Sequence, residues 1–71
     1  MTLRKTIGAN IKRLRVAKGW SQEKLSVRSK LSLNFIGSLE RGNVNVSADS
    51  LEKIAKSLKI EIEELFKKAQ L

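Results

Sequence analysis

Residues 21–42 read SQEKLSVRSKLSLNFIGSLERG, two short helices joined by a tight connection, and the rest of the chain is organised around them. Ser21 follows Gly19 and Trp20 as a helix-capping residue, and positions 22–28 are rich in helix formers. A second capping residue, Ser32, opens the next helix. Ile36 and Leu39 mark its apolar edge, and Gly42 stands where a helix ends in the left-handed conformation. Two helices of about two turns each are not stable alone, so they must dock on the remaining chain.

At 100° per residue, the second of these helices separates into two faces. Ile36 and Leu39 point one way. Asn34, Gly37, Ser38 and Arg41 cluster on the opposite side, with Leu33 and Phe35 on the flanks. An exposed amide, hydroxyl and guanidinium beside a position with no side chain make a surface suited to reading base edges. Asn pairs bidentately with adenine, Arg with guanine, and an apolar group such as Leu33 touches a thymine methyl. Glycine in a helix interior costs roughly 1 kcal/mol against alanine, and close approach of a ligand is one reason to place it there. The competing explanation is an ordinary solvated face on a short surface helix.

Charge favours the first explanation. The chain carries a formal +8, and residues 1–41 hold ten Lys or Arg against two acids, whereas residues 42–71 hold five of each. A lysine-rich solvated surface explains an excess of charge but not its confinement to one segment. A polyanion does, because cations that neutralise phosphates release condensed counterions.

The 71 residues make one domain, 1–71, in which a chain this short buries only about 60% of its unfolded surface, so a dimer partner would add stability. The absence of Cys and His excludes disulfides, thiol chemistry, zinc fingers and imidazole catalysis, and no metal or cofactor is expected. No apolar run approaches the roughly 20 residues of a membrane span, and the basic start lacks the apolar stretch and cleavage site of a signal peptide. A cytoplasmic protein without membrane attachment is therefore expected. Ser-x-x-Lys, a spacing used in some acyl-transfer enzymes, occurs at Ser21/Lys24 and Ser50/Lys53. Both lie at helix starts without a companion motif, so an enzyme is not expected.

Outward from the pair, Leu3, Ile7, Ile11 and Leu14 place one apolar stripe on a first helix that ends at Gly19. Trp20 reads as a plug over that helix rather than a base-stacking residue. Residues 43–46, NVNV, read as a loop. Ser47 caps a fourth helix with the stripe Leu51, Ile54, Ala55 and Leu58, and a fifth helix after Ile60 carries Ile62, Leu65, Phe66 and Ala69. The fold expected is all-α, a compact five-helix domain with its helix-turn-helix at about 21–41 and packing and dimerisation helices in 47–71. Surplus apolar surface on the last helix makes Ile62, Leu65, Phe66 and Leu71 candidates for a dimer seam.

Trp20-Ser-Gln22, Leu25, Leu31-Ser32, Ile36, Leu39-Glu-Arg-Gly42, the LEKIAKSL run of residues 51–58 and Glu64-Leu-Phe66 together resemble the phage-repressor type of helix-turn-helix protein, the Cro/cI-like or XRE family. The likeness covers nearly the whole chain and implies a lambda-repressor-like fold. Residues 35–42, FIGSLERG, together with Asn45-Val-Ser47, are most similar to restriction-modification controller proteins and small single-domain repressors.

Carried over by position, the resemblance implies that the helix beginning at Ser32 enters the major groove. Ser32, Leu33, Asn34 and Ser38 would then reach base edges. It implies phosphate contacts at Ser21 and Gln22, where a helix N-terminus attracts anions in any case. Further phosphate contacts would fall at Arg41, Asn43 and Asn45, and at Phe35. Controllers often carry Tyr there, so the hydroxyl contact is lost and only the apolar one would survive. Arg15 and Glu40 match an ion pair tying the first helix to the end of the third. Lys30 stands in the turn where many relatives have Gly, so left-handed backbone there would be strained.

The function expected is a sequence-specific DNA-binding transcriptional regulator, a homodimer on a palindromic operator in double-stranded DNA. It would act by blocking or recruiting RNA polymerase, with no small-molecule ligand evident. The alternative from another class is a protein-interaction module, an antitoxin or adaptor on the same scaffold. A nucleoid-type binder without sequence preference comes third.

Overall fold

A computed structural model describes residues 2–68. Four α-helices, α1 (Leu3–Ala17), α2 (Gln22–Ser29), α3 (Leu33–Glu40) and α4 (Ala48–Leu58), are followed by one 3₁₀ turn, Ile62–Phe66. Each helix starts the same way. The hydroxyls of Thr2, Ser21, Ser32 and Ser47 accept from the backbone N–H three residues on, which satisfies one orphan donor in each first turn.

The helices also end alike, with a left-handed residue followed by a backbone N–H that reaches back five positions. Trp20 N–H donates to Arg15, Leu31 to Ser26, Asn43 to Ser38 and Ile60 to Ala55. Gly19 and Gly42 supply the left-handed residue for α1 and α3. For α2 and α4 it is Lys30 (φ 60°) and Lys59 (φ 58°), where a Cβ makes that conformation costly. The strain expected at Lys30 is thus present, and Lys59 repeats it.

Seven side chains are wholly buried, Ile11, Leu25, Ile36, Leu39, Ile54, Leu58 and Leu65, so every helix and the 3₁₀ turn contribute to one core. α1 packs against α3 and the 3₁₀ turn, while α2 lies between α3 and α4. Gly8 sets the closeness of α1 to α3. A Cβ there would lie 2.3 Å from the Leu39 carbonyl oxygen and 2.8 Å from that of Glu40. Leu14, Trp20, Val44 and Val46 pack at the margin of the core, whereas Leu3, first in the α1 stripe, is exposed.

The expected fifth α-helix is instead the five-residue 3₁₀ turn, flanked by extended residues at Glu61 and Lys67. So short a segment cannot repay helix nucleation on its own. Its carbonyls are taken up from outside, since the buried Asn10 amide donates to the Leu65 oxygen at 2.9 Å and to the Lys67 oxygen at 2.6 Å. Leu65, expected at a dimer seam, is 0% exposed and belongs to the core of the single chain. Ile62 is half-buried and Phe66 is exposed, while Ala69 and Leu71 lie outside the described residues.

Candidate nucleic-acid interface

The start of α3 projects its side chains outward because its other face is committed to the core through Ile36 and Leu39. Ser32, Leu33 and Asn34 are all exposed, Leu33 by 44%. The Ser32 Oγ accepts from Phe35 N–H at 3.1 Å, which leaves its own proton free to donate. Phe35 itself is half-buried against the core, so its ring steadies α3 from the flank.

Further along α3, Ser38 is half-buried, and its hydroxyl accepts from Arg41 Nη2 at 3.2 Å. Gly37 is buried, contrary to the exposed position that the helical wheel assigns it. The wheel places it correctly around the axis, but two long side chains roof it over. The place of a Cβ at Gly37 is 3.3 Å from Arg41 Nη1 and 3.9 Å from Gln22 Oε1. Both roofing atoms are the ends of flexible chains, and Arg41 is exposed and can swing away from the notch.

Gln22 comes to this cluster from α2 held by Glu40, since its Nε2 donates to Glu40 Oε1 at 3.0 Å. The same carboxylate takes Arg15 Nε at 2.6 Å and Arg15 Nη2 at 3.0 Å, while Arg15 Nη1 donates to the Trp20 carbonyl at 2.7 Å. Three helices are therefore fixed at one carboxylate, and the Gln22 amide is oriented with its oxygen toward Gly37. The hydrogen bond to Glu40 first, and its charge second, hold the Arg15 guanidinium above its ordinary pKa against the opposing effect of burial. Arg15 thus stays charged wherever the protein is folded near neutrality.

Ser21 is exposed at the N-terminus of α2, its Oγ accepting from Lys24 N–H at 3.0 Å. Beyond α3, Asn43 and Asn45 are exposed in the loop, and the Asn43 N–H closes the helix on the Ser38 carbonyl. The structure brings Gln22, Gly37, Ser38 and Arg41 into one cluster, with Ser32, Leu33 and Asn34 at the leading end of α3. Neither Ser-x-x-Lys spacing forms a nucleophile and base. Ser21 caps α2, and the Ser50 N–H and hydroxyl both engage Ser47. Among the described residues no group of three His, Cys, Asp or Glu side chains is placed to hold a metal.

Two functional features escaped the sequence reading. Glu40 orients Gln22 as well as pairing with Arg15. Asn10 pins the 3₁₀ turn, and its signal was its place three residues after Ile7 and four before Leu14, on the buried face of α1.

Residues 11–65 match the model of the Helix-turn-helix family. The chain is 40% identical over 65 residues to an uncharacterized HTH-type transcriptional regulator, y4dJ, of Sinorhizobium fredii, spanning 92% of this chain and 84% of that protein. It is 38% identical over 64 residues to control protein C.BamHI of Bacillus amyloliquefaciens, covering 89% and 79% of the two chains. Its backbone is similar to the crystal structure of the restriction-modification controller protein C.AhdI from Aeromonas hydrophila. There the TM-score is 0.86 at 43% identity, over 89% of this chain and 96% of that one.

Proposed function

This chain belongs to the Helix-turn-helix family, and we propose that it is a sequence-specific DNA-binding transcriptional regulator acting as a homodimer on an inverted repeat. The observation that carries the reading is the exposed leading end of α3. Ser32, Leu33 and Asn34 stand free of the core, in the segment, residues 1–41, that holds all of the chain's excess positive charge. Inserted in the major groove, Asn34 reads adenine through its amide, Leu33 covers a thymine methyl, and Ser32 and Ser38 supply single hydrogen bonds.

Phosphates are held on both sides of that helix. Ser21 and Gln22 sit at the N-terminus of α2, where backbone N–H groups and the helix dipole attract an anion. Arg41, Asn43 and Asn45 grip the backbone beyond the end of α3, Arg41 leaving Ser38 to do so. Gln22, whose Nε2 is already held by Glu40, contributes chiefly through its backbone N–H.

Two protomers joined through Ile62 and Phe66 would set their α3 helices in successive major grooves, about 34 Å apart. Occupancy beside a promoter then blocks or recruits RNA polymerase, in the cytoplasm. Likeness to the restriction-modification controller protein C.AhdI supports control of restriction-modification genes as the office. Selection of bound sequences from a random duplex pool tests the reading. An inverted repeat with half-sites about 10 bp apart, preferred about 10³-fold over scrambled DNA, is expected. Recovery of unenriched DNA overturns it in favour of binding without sequence preference.

A further inference from the structure

A groove of about 290 Å³ runs between the C-terminal end of α2 and the middle of α4, with no residue of α3 in its lining. Arg28, Ser29, Lys30, Lys53, Lys56 and Ser57 line it. Four of the six are cations, they come from two helices and the turn between α2 and α3, and no carboxylate shares the lining. Among the described residues none of the four cations makes an ion pair. Asp49 and Glu52 line the next groove along α4 with Lys53 and Lys56, yet neither lies within ion-pairing distance of them.

The two hydroxyls add no donor for an anion. Ser29 is buried and donates to the Leu25 carbonyl at 2.7 Å, and Ser57 donates to the Lys53 carbonyl at 2.8 Å, so both protons are already used. What the groove offers is charge-assisted donors, three ammonium groups and the guanidinium of Arg28, whose Cζ lies 5.7 Å from the centre of the Trp20 ring and whose N–H edge can still donate. Lys30 is held there in left-handed backbone that glycine would adopt without strain.

We propose that this groove is a second anion site, separate from the reading face of α3, that takes two or more linked phosphate groups. Four cations spread over two helices and a turn match the several charges of a linked pair or triplet of phosphates. Such groups reach it either as a free polyphosphate or as the backbone of a nucleic acid. No residue of α3 lines the groove, so a DNA backbone held here is distinct from the base edges read by α3.

The test compares Lys53→Gln/Lys56→Gln with Arg4→Gln/Lys12→Gln, which removes the same charge from exposed positions of α1. In the first arm, thermal unfolding without DNA is followed against inorganic tripolyphosphate at low salt. Protection of the wild type and the α1 variant, with affinity lowered about tenfold or more in the groove variant, is expected. In the second arm, DNA affinity is measured against salt. A slope of log K on log salt reduced by about two in the groove variant makes the nucleic-acid backbone the source of the phosphates, and an unchanged slope makes it a free polyphosphate. Equal tripolyphosphate protection in both variants together with unchanged slopes overturns the proposal. The first arm involves no DNA, so its outcome is independent of the function proposed for α3.

Discussion

Arg15 and Glu40 meet in a two-pronged ion pair, Nε to Oε2 at 2.6 Å and Nη2 to Oε1 at 3.0 Å, with side chains only 10% and 3% exposed. Because both charges are out of water, removing one partner leaves the other uncompensated. Glu40→Ala is expected to lower the unfolding free energy by about 3 kcal/mol, measured by denaturant titration. The sign of its pH dependence follows from the raised Arg15 value. The contribution of the pair is present below the ordinary guanidinium range and lost only as pH rises through the raised one. The deficit of the variant should therefore be the same at about pH 7 and about pH 9.

Gly8 admits no side chain, since a Cβ would meet the Leu39 and Glu40 carbonyl oxygens at 2.3 and 2.8 Å. These are backbone atoms at the C-terminal end of α3, so relief requires α1 and α3 to separate. Gly8→Ala, ordinarily a gain in helix propensity, should instead cost about 3 kcal/mol and lower the melting temperature by more than about 10 °C. A melting temperature that rises would show that α1 and α3 are not locked at this point.

Lys30 and Lys59 end α2 and α4 at φ near 60°, where glycine has no Cβ to strain the backbone. Lys30→Gly and Lys59→Gly should each raise stability by about 0.5–1 kcal/mol, the relief of left-handed strain less the added freedom of the unfolded chain. Calorimetry should show an upward shift of several degrees for either change.

How far the sequence predicts this structure depends on whether a feature is local. The caps at Ser21, Ser32 and Ser47, the left-handed ends at Gly19 and Gly42, and the stripes of α1 and α4 each follow from a few neighbouring residues, and the all-α helix-turn-helix fold follows from them. The fifth element is not legible because Ile62, Leu65 and Phe66 keep helical spacing while the carbonyls of Leu65 and Lys67 are held by Asn10, more than fifty positions away. The burial of Gly37 is illegible for a related reason. A wheel places Cα positions but not the reach of Arg41 and Gln22, which cover it.

The proposed division between base reading and phosphate holding on α3 is tested by two substitutions. Asn34 is exposed at the leading end and tied to nothing by hydrogen bonds among the described residues, so Asn34→Ala should leave stability unchanged. On a selected operator it should cost about 1–3 kcal/mol and flatten the preference at one base pair. Arg41→Ala should weaken binding to every sequence alike and reduce the salt slope by about one. Equal loss on specific and random duplexes for Asn34→Ala would remove Asn34 from the readers.

Leu65 and Phe66 are neighbours with opposite fates, and that difference isolates pairing from folding. Leu65 is wholly buried, so Leu65→Ala should cost about 2–5 kcal/mol of stability in the single chain. Phe66 is 41% exposed beside the half-buried Ile62, on a turn held to α1 through Asn10, and it makes a firm apolar knob at the surface. Phe66→Glu should leave the circular dichroism of the protein intact while shifting its sedimentation from dimer to monomer, because a carboxylate buried in a two-fold seam would face its own copy. The same variant should bind an inverted repeat no more tightly than a single half-site, since the second protomer then arrives without help from the first. Sedimentation as an unchanged dimer would place the seam elsewhere on the chain.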